Sequence, residues 1–310
     1  MHRDPLGYES ELSLEGTYYP LGYPLHLATN SPRVLRGAEE SWGLYLPARD
    51  AEPLRLRVAV EAGDELPTPP VYRGQRHLLT IISGPANTAV CDYTQRFGYC
   101  RLSEAAASEQ AFVSYYFLEA MAFHMLTQWH VTPVHAACVS GVALCGESGA
   151  GKSSLAYACA QRGWTYVSDN ESWLVRDEEP AQLIGNPSRI RFRDSAVALF
   201  PELRGFTPGL HANGKMSINF RTADAEGLRV ENCSRVRSLV FLNRQSDGPA
   251  GLTEMPRETA LTQLLAGVPM YEPHIRREHE RSLRRLIELP VLSLRYSSLD
   301  AAIEQLEALR

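Results

Sequence analysis

The sequence predicts an α/β chain with a smaller β-rich domain at its N-terminal end. Three observations carry this. A short apolar run, Val142 to Cys145, passes straight into a glycine-rich loop and then into an amphipathic helical stretch from Lys152 to Arg162. After that stretch, strand-like and helix-like runs follow one another to the C-terminal end. The first hundred residues instead carry short, partly alternating apolar runs among Tyr, Pro and Gly, which is a strand signature. With 310 residues, 44% hydrophobic and 22% charged, the chain can bury a core and has room for two modest domains. That composition excludes a mainly disordered, collagenous or disulfide-scaffold protein.

Taken in order, residues 1–104 are expected to form the β-rich domain, with strands such as Leu54 to Val60 and His77 to Ile82. From Ser103 the pattern becomes helical: alanines follow Ser103-Glu104, then Phe112, Tyr115, Tyr116, Glu119, Phe123 and Leu126 recur at helical spacing until Pro133. Residues 105–130 therefore read as a connecting helix with core aromatics, and residues 131–310 as the second domain. There, Val134 to Val139, the Ser140-Gly141 turn and Val142 to Cys145 read as a hairpin that delivers the chain into the glycine-rich loop. A helix from Lys152 stops at Gly163, and Tyr166 to Ser168 is the next strand. Ser172 to Arg176 and Gln182 to Gly185 form a second hairpin. Further strands are expected at Met216 to Phe220, Val236 to Leu242 and Val291 to Leu294. Helices are expected at Glu258 to Ala266, Pro273 to Glu288 and Leu299 to Leu309.

The charge balance narrows the function classes. A net charge of −5 gives no global electrostatic reason to hold nucleic acid or an acidic membrane surface. The N-terminal residues lack an apolar export segment, and Ala111 to Trp129 is interrupted by Glu119, His124 and Gln128, so neither a signal nor a membrane span is expected. Six cysteines without a CxxC pair read as reduced core thiols, and the location expected is cytoplasmic. Of the 31 basic residues only Lys152 and Lys215 are lysine, which draws attention to both.

Gly146-Glu147-Ser148-Gly149-Ala150-Gly151-Lys152-Ser153 fits G-x-x-x-x-G-K-[ST] between a strand and a helix, the context a phosphate cradle requires. The glycines let backbone N–H groups turn toward phosphate oxygens, and the helix start at Lys152, Ser153 and Ser154 adds positive potential. Lys152 is then expected to bridge the outer phosphates of ATP, and Ser153 to hold Mg²⁺. Asp169 ends the very next strand, 17 residues beyond Lys152, where it can assist the metal or take a proton from an attacking hydroxyl; a turn cap is its bland reading.

From His135 to Asn170 the chain resembles the C-terminal catalytic domain of the HPr kinase/phosphorylase-related serine kinase family, which has a phosphoenolpyruvate carboxykinase-like P-loop fold. The shared order is His135 on a strand, the Gly141 turn, Val142 to Cys145, Gly146 to Ser153, Arg162-Gly163 and a strand ending in Asp169. The resemblance implies that Lys152 and the loop bind nucleotide phosphates, that Ser153 holds Mg²⁺, that Asp169 is the proton-accepting base and that His135 lies near the reacting phosphate. A structural histidine is the equal alternative for His135. It further implies a second acidic residue after Asp169, where this chain has Asn170, and a metal-site Glu that Glu202 of Glu202-Leu203-Arg204-Gly205 matches in kind, at a longer separation. Arg189 and Arg191 resemble basic positions of the divergent relatives near phosphate, with a solvated strand face as the alternative. Lys215, on a polar glycine loop, is either a phosphate or acceptor contact or a solvated turn lysine.

The functional expectation is an ATP- and Mg²⁺-dependent phosphotransferase acting on a hydroxyl, with a serine of a protein or peptide preferred through the resemblance and the N-terminal domain as a candidate for acceptor recognition. A kinase of a small-molecule hydroxyl and a non-catalytic nucleotide-binding regulator are the alternatives, the latter kept open by Asp169-Asn170. A GTPase is disfavoured, because Val240-Phe241-Leu242 leads into Asn243-Arg244-Gln245-Ser246 and not into Asn-Lys-x-Asp. The charged run His274 to Arg285 reads as a solvated helix face. The acceptor's identity and any homo-oligomer are not legible in the sequence.

Overall fold

A computed structural model describes residues 11–210, 216–269 and 272–310. It is a mixed α/β chain of two units, one ending at Trp129 and the other running from His130 to Arg310.

Alternation of buried and exposed side chains builds the first unit. Strands β1 (Leu14–Tyr18) and β2 (Leu25–Thr29) pair antiparallel, helix α1 (Pro32–Trp42) follows, and β3 (Leu54–Glu61) returns parallel to β2. Strands β4 (Val71–Gln75), β5 (Leu78–Ile82), β6 (Thr88–Asp92) and β7 (Phe97–Ser103) form an antiparallel meander whose last strand lies parallel to β3. The sheet order is β1-β2-β3-β7-β6-β5-β4. Val34, Ala38 and Trp42 form the buried stripe of α1.

The segment expected as one connecting helix belongs to this first unit and is broken. The Ser103 hydroxyl accepts from the Ala106 N–H and caps α2 (Glu104–Ser108). Glu109 then leaves helical geometry at φ −82° and ψ 67°. Helix α3 (Gln110–Val113) runs through a widened π-type stretch at Ser114–Glu119 into α4 (Ala120–Trp129). A widened turn takes an extra residue and rotates the face that follows it. Phe117, Leu118, Met121, Met125 and Leu126 are fully buried, so Leu126 alone of the expected apolar stripe is core, whereas Phe112, Tyr115, Tyr116 and Phe123 are half-buried.

The second unit is organised around a seven-stranded sheet. Its elements are β8 (Val131–Val134), β9 (Ala136–Val139), β10 (Val142–Cys145), α5 (Lys152–Gln161), β11 (Thr165–Ser168), β12 (Ser172–Val175), β13 (Gln182–Gly185), β14 (Arg189–Phe192), β15 (Gly209–Leu210), β16 (Met216–Arg221), β17 (Arg229–Val230), β18 (Cys233–Arg235), β19 (Ser238–Arg244), β20 (Gly251–Glu254), α6 (Arg257–Ala266), α7 (Pro273–Leu286), β21 (Val291–Tyr296) and α8 (Leu299–Leu306). The main sheet has the order β17-β11-β9-β10-β19-β21-β20, with β8, β12, β13 and β18 in a second sheet and β14, β16 and β15 in a third.

Strands β9 and β10 are buried on both faces, so the period of two sorts their side chains into two cores. Ala137, Val139, Val142 and Leu144 join α5 and α8 through Leu155, Cys159, Ile303 and Leu306. Ala136, Cys138, Ala143 and Cys145 join α6 and α7 through Leu261, Leu264, Leu283 and Leu286. Each large aliphatic buried this way contributes about 1.5–3 kcal/mol. All six cysteines are free thiols and five are buried, and burial pushes the Cys138 and Cys145 thiols up to about 12. Among the described residues no helix is long and apolar enough to cross a membrane.

Candidate functional site

Sheet topology brings the site residues together before any side chain is considered. Strand β9 is antiparallel to both β10 and β11, so β10 and β11 run in the same direction with β9 between them. The ends of β10 at Cys145 and of β11 at Ser168 therefore lie on one edge of the sheet, about 10 Å apart at two interstrand spacings. The start of β9 is on that edge too, since Ala136 pairs with Cys145. The loop after Cys145, Asp169 after Ser168 and His135 before Ala136 consequently share one end. Strands β19 and β21 run parallel to β10 and end there as well. In open α/β sheets ligands bind at this carboxyl edge.

The loop's shape rests on its glycines. Gly146, Gly149 and Gly151 have φ of +148°, +97° and +95°. A Cβ on Gly151 would also stand 2.4 Å from the Tyr296 hydroxyl, which donates to the Ala150 carbonyl at 2.7 Å. The Ala150 N–H closes the loop on the Glu147 carbonyl at 3.1 Å, while Glu147, Ser148 and Gly149 are exposed. Helix α5 opens at Lys152, and its first intrahelical bond runs from the Leu155 N–H to the Gly151 carbonyl. The N–H groups of Lys152, Ser153 and half-buried Ser154 precede that bond, at the positive end of the helix.

Lys152 is buried and its Nζ donates to the Gly146 carbonyl at 2.8 Å and the Glu147 carbonyl at 3.1 Å. The same ammonium lies 3.0 Å from His135 Nε2. Lysine only donates, so Nε2 is the acceptor. Ser153 Oγ donates to the Asp169 carbonyl oxygen at 3.3 Å, which ties the helix start to the end of β11. The Asp169 carboxylate accepts from the Arg191 N–H at 2.8 Å. Part of this residue reaches the surface, but its carboxyl group is enclosed, and loss of water raises it to about 6 despite the Arg191 N–H and guanidinium.

Arg189 and Arg191 lie on the exposed face of β14, and Arg193 continues the alternation one step beyond the strand. Arg193 Nη2 donates to Ser148 Oγ at 3.1 Å and stands over Gly149. Arg193 was not among the residues expected from the sequence, although it extends the alternation Arg-x-Arg-x-Arg, and nothing in the sequence singles out Tyr296. Glu202 is placed elsewhere: Tyr157 Oη, at 2.8 Å, and Gln161 Nε2 both donate to it. Those partners lie four and eight residues past Ser153, about 6 and 12 Å further along α5, so Glu202 does not join the Ser153–Asp169 pair. Burial and the Glu202 carboxylate raise the Tyr157 hydroxyl above its ordinary range. Lys215 lies outside the described residues.

Among the described residues no three His, Cys, Asp or Glu side chains cluster as a metal cage. The Ser153 hydroxyl and the Asp169 carboxylate, beside a glycine-rich loop, are oxygen donors of the kind Mg²⁺ takes along with waters and phosphate oxygens. The residues present therefore fit the ion and the nucleotide that the sequence implies.

No protein-family profile matches the chain, and no curated protein does. A solved structure similar to it is the Hpr(Ser) kinase/phosphatase from Coxiella burnetii, at 13% identity over 58% of this chain and 96% of that one, with a TM-score of 0.30. A likeness of that size leaves the functional reading to the loop and the residues around it.

Proposed function

We propose that this chain is an ATP-dependent phosphotransferase that moves the γ-phosphate to a hydroxyl, with a serine of a protein or peptide as acceptor. The carrying observation is that Lys152 and Ser153, at the end of a loop with three left-handed glycines, share one carboxyl edge with Asp169, whose backbone carbonyl accepts from Ser153. Phosphoryl transfer asks mainly for positioning and charge neutralisation, which so small a set of residues can supply.

In this reading the loop and the α5 N–H groups hold the phosphates, and Lys152 shifts from the Gly146 and Glu147 carbonyls to the outer phosphate oxygens. Ser153 and Asp169 hold Mg²⁺, which neutralises phosphate charge when bound. The enclosed Asp169 carboxylate takes the acceptor proton. The acceptor oxygen bonds to the γ-phosphorus, the bond from that phosphorus to the β–γ bridging oxygen breaks, and ADP departs. His135, whose Nε2 already accepts from Lys152, orients the ammonium.

Transfer of γ-labelled phosphate from ATP to serine-containing peptides and proteins tests this. Labelled phosphoserine supports it. Tight nucleotide binding with no transfer to any hydroxyl would make the chain a nucleotide-binding regulator, and label on a metabolite alone would replace the protein acceptor with a small molecule.

A further inference from the structure

Arginine is abundant on this unit's surface, and several of these residues are neutralised. Arg162, Arg221, Arg281, Arg284 and Arg285 each meet a carboxylate within 3.3 Å. Among the described residues Arg189, Arg191 and Arg193 have no ion-pair partner within 4 Å, and what sets them apart is their place in one row beside the loop. All three are exposed and alternate along one strand, while Ile190 and Phe192 turn into the core between them. Strand geometry spaces the three about 6.6 Å apart.

The row begins at the site. Arg193 touches Ser148 in the loop, and the Arg191 N–H holds the Asp169 carboxylate. Of the carboxylates nearby, Asp224 is taken up by Arg221, Asp169 feels the Arg191 charge, and Asp194 starts the helical turn beyond Arg193. An extended peptide whose hydroxyl sits at Asp169 presents every second side chain to the same face at the same spacing. Guanidinium groups favour carboxylate partners because their planar forks donate two parallel hydrogen bonds to one carboxylate.

We infer that Arg189 and Arg191 form an acceptor-binding row and that the acceptor segment is an extended acidic peptide carrying Asp or Glu at alternate positions from its serine. Resting on the phosphotransferase reading, this names the acceptor class for the same site. Acidic residues pair with Arg189 and Arg191, the serine oxygen bonds to the γ-phosphorus as ADP leaves, and the serine proton passes to Asp169.

The test uses the full chain and two fluorescein-labelled nine-residue peptides, one serine flanked by Asp at alternate positions and its twin with Asn there. Anisotropy is read with Mg-ATP titrated in parallel. The Asp peptide is expected to bind about tenfold more tightly than its twin, to weaken as salt rises, and to lose that advantage in Arg189→Gln/Arg191→Gln. Should the double variant misfold, Arg189→Gln alone is expected to lose about threefold. Equal affinity for the two peptides would overturn the inference, as would an undiminished preference in a folded variant or displacement of the Asp peptide by a trace of single-stranded oligonucleotide. Failure of the wild-type chain to bind Mg-ATP would overturn the phosphotransferase reading instead, so the two failures are distinguishable.

Discussion

Asp169 is a half-buried acid whose protonation decides whether it can act. Its carboxyl group is raised to about 6 because burial outweighs the Arg191 N–H and guanidinium. Below that pH it is protonated and cannot take the acceptor proton; above it, it can. Transfer is therefore expected to rise with pH through about 6, and a pH–rate profile checks this. Asp169→Asn keeps the size and loses the basicity, so transfer should fall about a hundredfold or more and the limb near pH 6 should vanish. Nucleotide affinity by calorimetry should stay within a few-fold. Affinity that collapses together with transfer would make Asp169 a metal ligand foremost, and no change in either would make it a turn cap.

At the scale of elements, α7 is tied to the strands beneath it by one buried histidine. His279 Nδ1 lies 3.0 Å from Thr132 Oγ1 on β8, and Arg176 Nη2 approaches Nδ1 at 3.0 Å and Nε2 at 3.3 Å. Burial, then the Arg176 charge, pulls this ring down to about 3. The folded state thus keeps His279 neutral where the unfolded chain protonates it. The stability from this group is fully present above about 6.5 and is lost progressively as pH falls toward 3. Urea melts at pH 7, 6 and 5 should show the wild type weakening, with a total on the order of a few kcal/mol over the whole window, while His279→Gln should show a flatter dependence.

The sequence carries no sign of this contact, because His279 sits in the run His274 to Arg285 that reads as a solvated face. That reading holds for Arg281, Arg284 and Arg285, which pair with exposed carboxylates, and fails for His279, which is 0% exposed. Periodicity reports which face of a helix is polar, not which polar residue a neighbouring strand buries. Strand β10 and helix α5 were legible because Gly141, Gly146, Gly151 and Gly163 bound them, whereas the run Val134 to Val139, expected as one strand carrying His135, breaks at His135 into β8 and β9, which lie in different sheets. The break at Glu109 and the widened turn at Ser114–Glu119 were not legible, since neither falls at a Gly or Pro.

For the whole molecule, the division at Trp129 and His130 leaves the loop, α5, β11 and both surrounding cores in the second unit. A fragment from His130 to Arg310 is therefore expected to fold cooperatively and bind Mg-ATP, with acceptor phosphorylation reduced. A soluble fragment that binds no nucleotide would show that the first unit is needed for the site itself. The candidate site was legible where chemistry follows local order: loop, helix start and Asp169 are close in sequence and one strand apart in space. Tyr296 and Glu202 were not legible, because their positions depend on contacts 146 and 45 residues away.

Whether the loop around Lys152 holds nucleotide phosphates is decided by titration calorimetry of Mg-ATP into the wild-type chain and Lys152→Ala. Lys152 supplies the one ammonium within the loop, so its loss should abolish binding or weaken it a hundredfold or more. Circular dichroism should show both proteins folded. Saturable binding by the wild type and none by the folded variant is the expected result; equal binding by both, or none by a folded wild type, would contradict it.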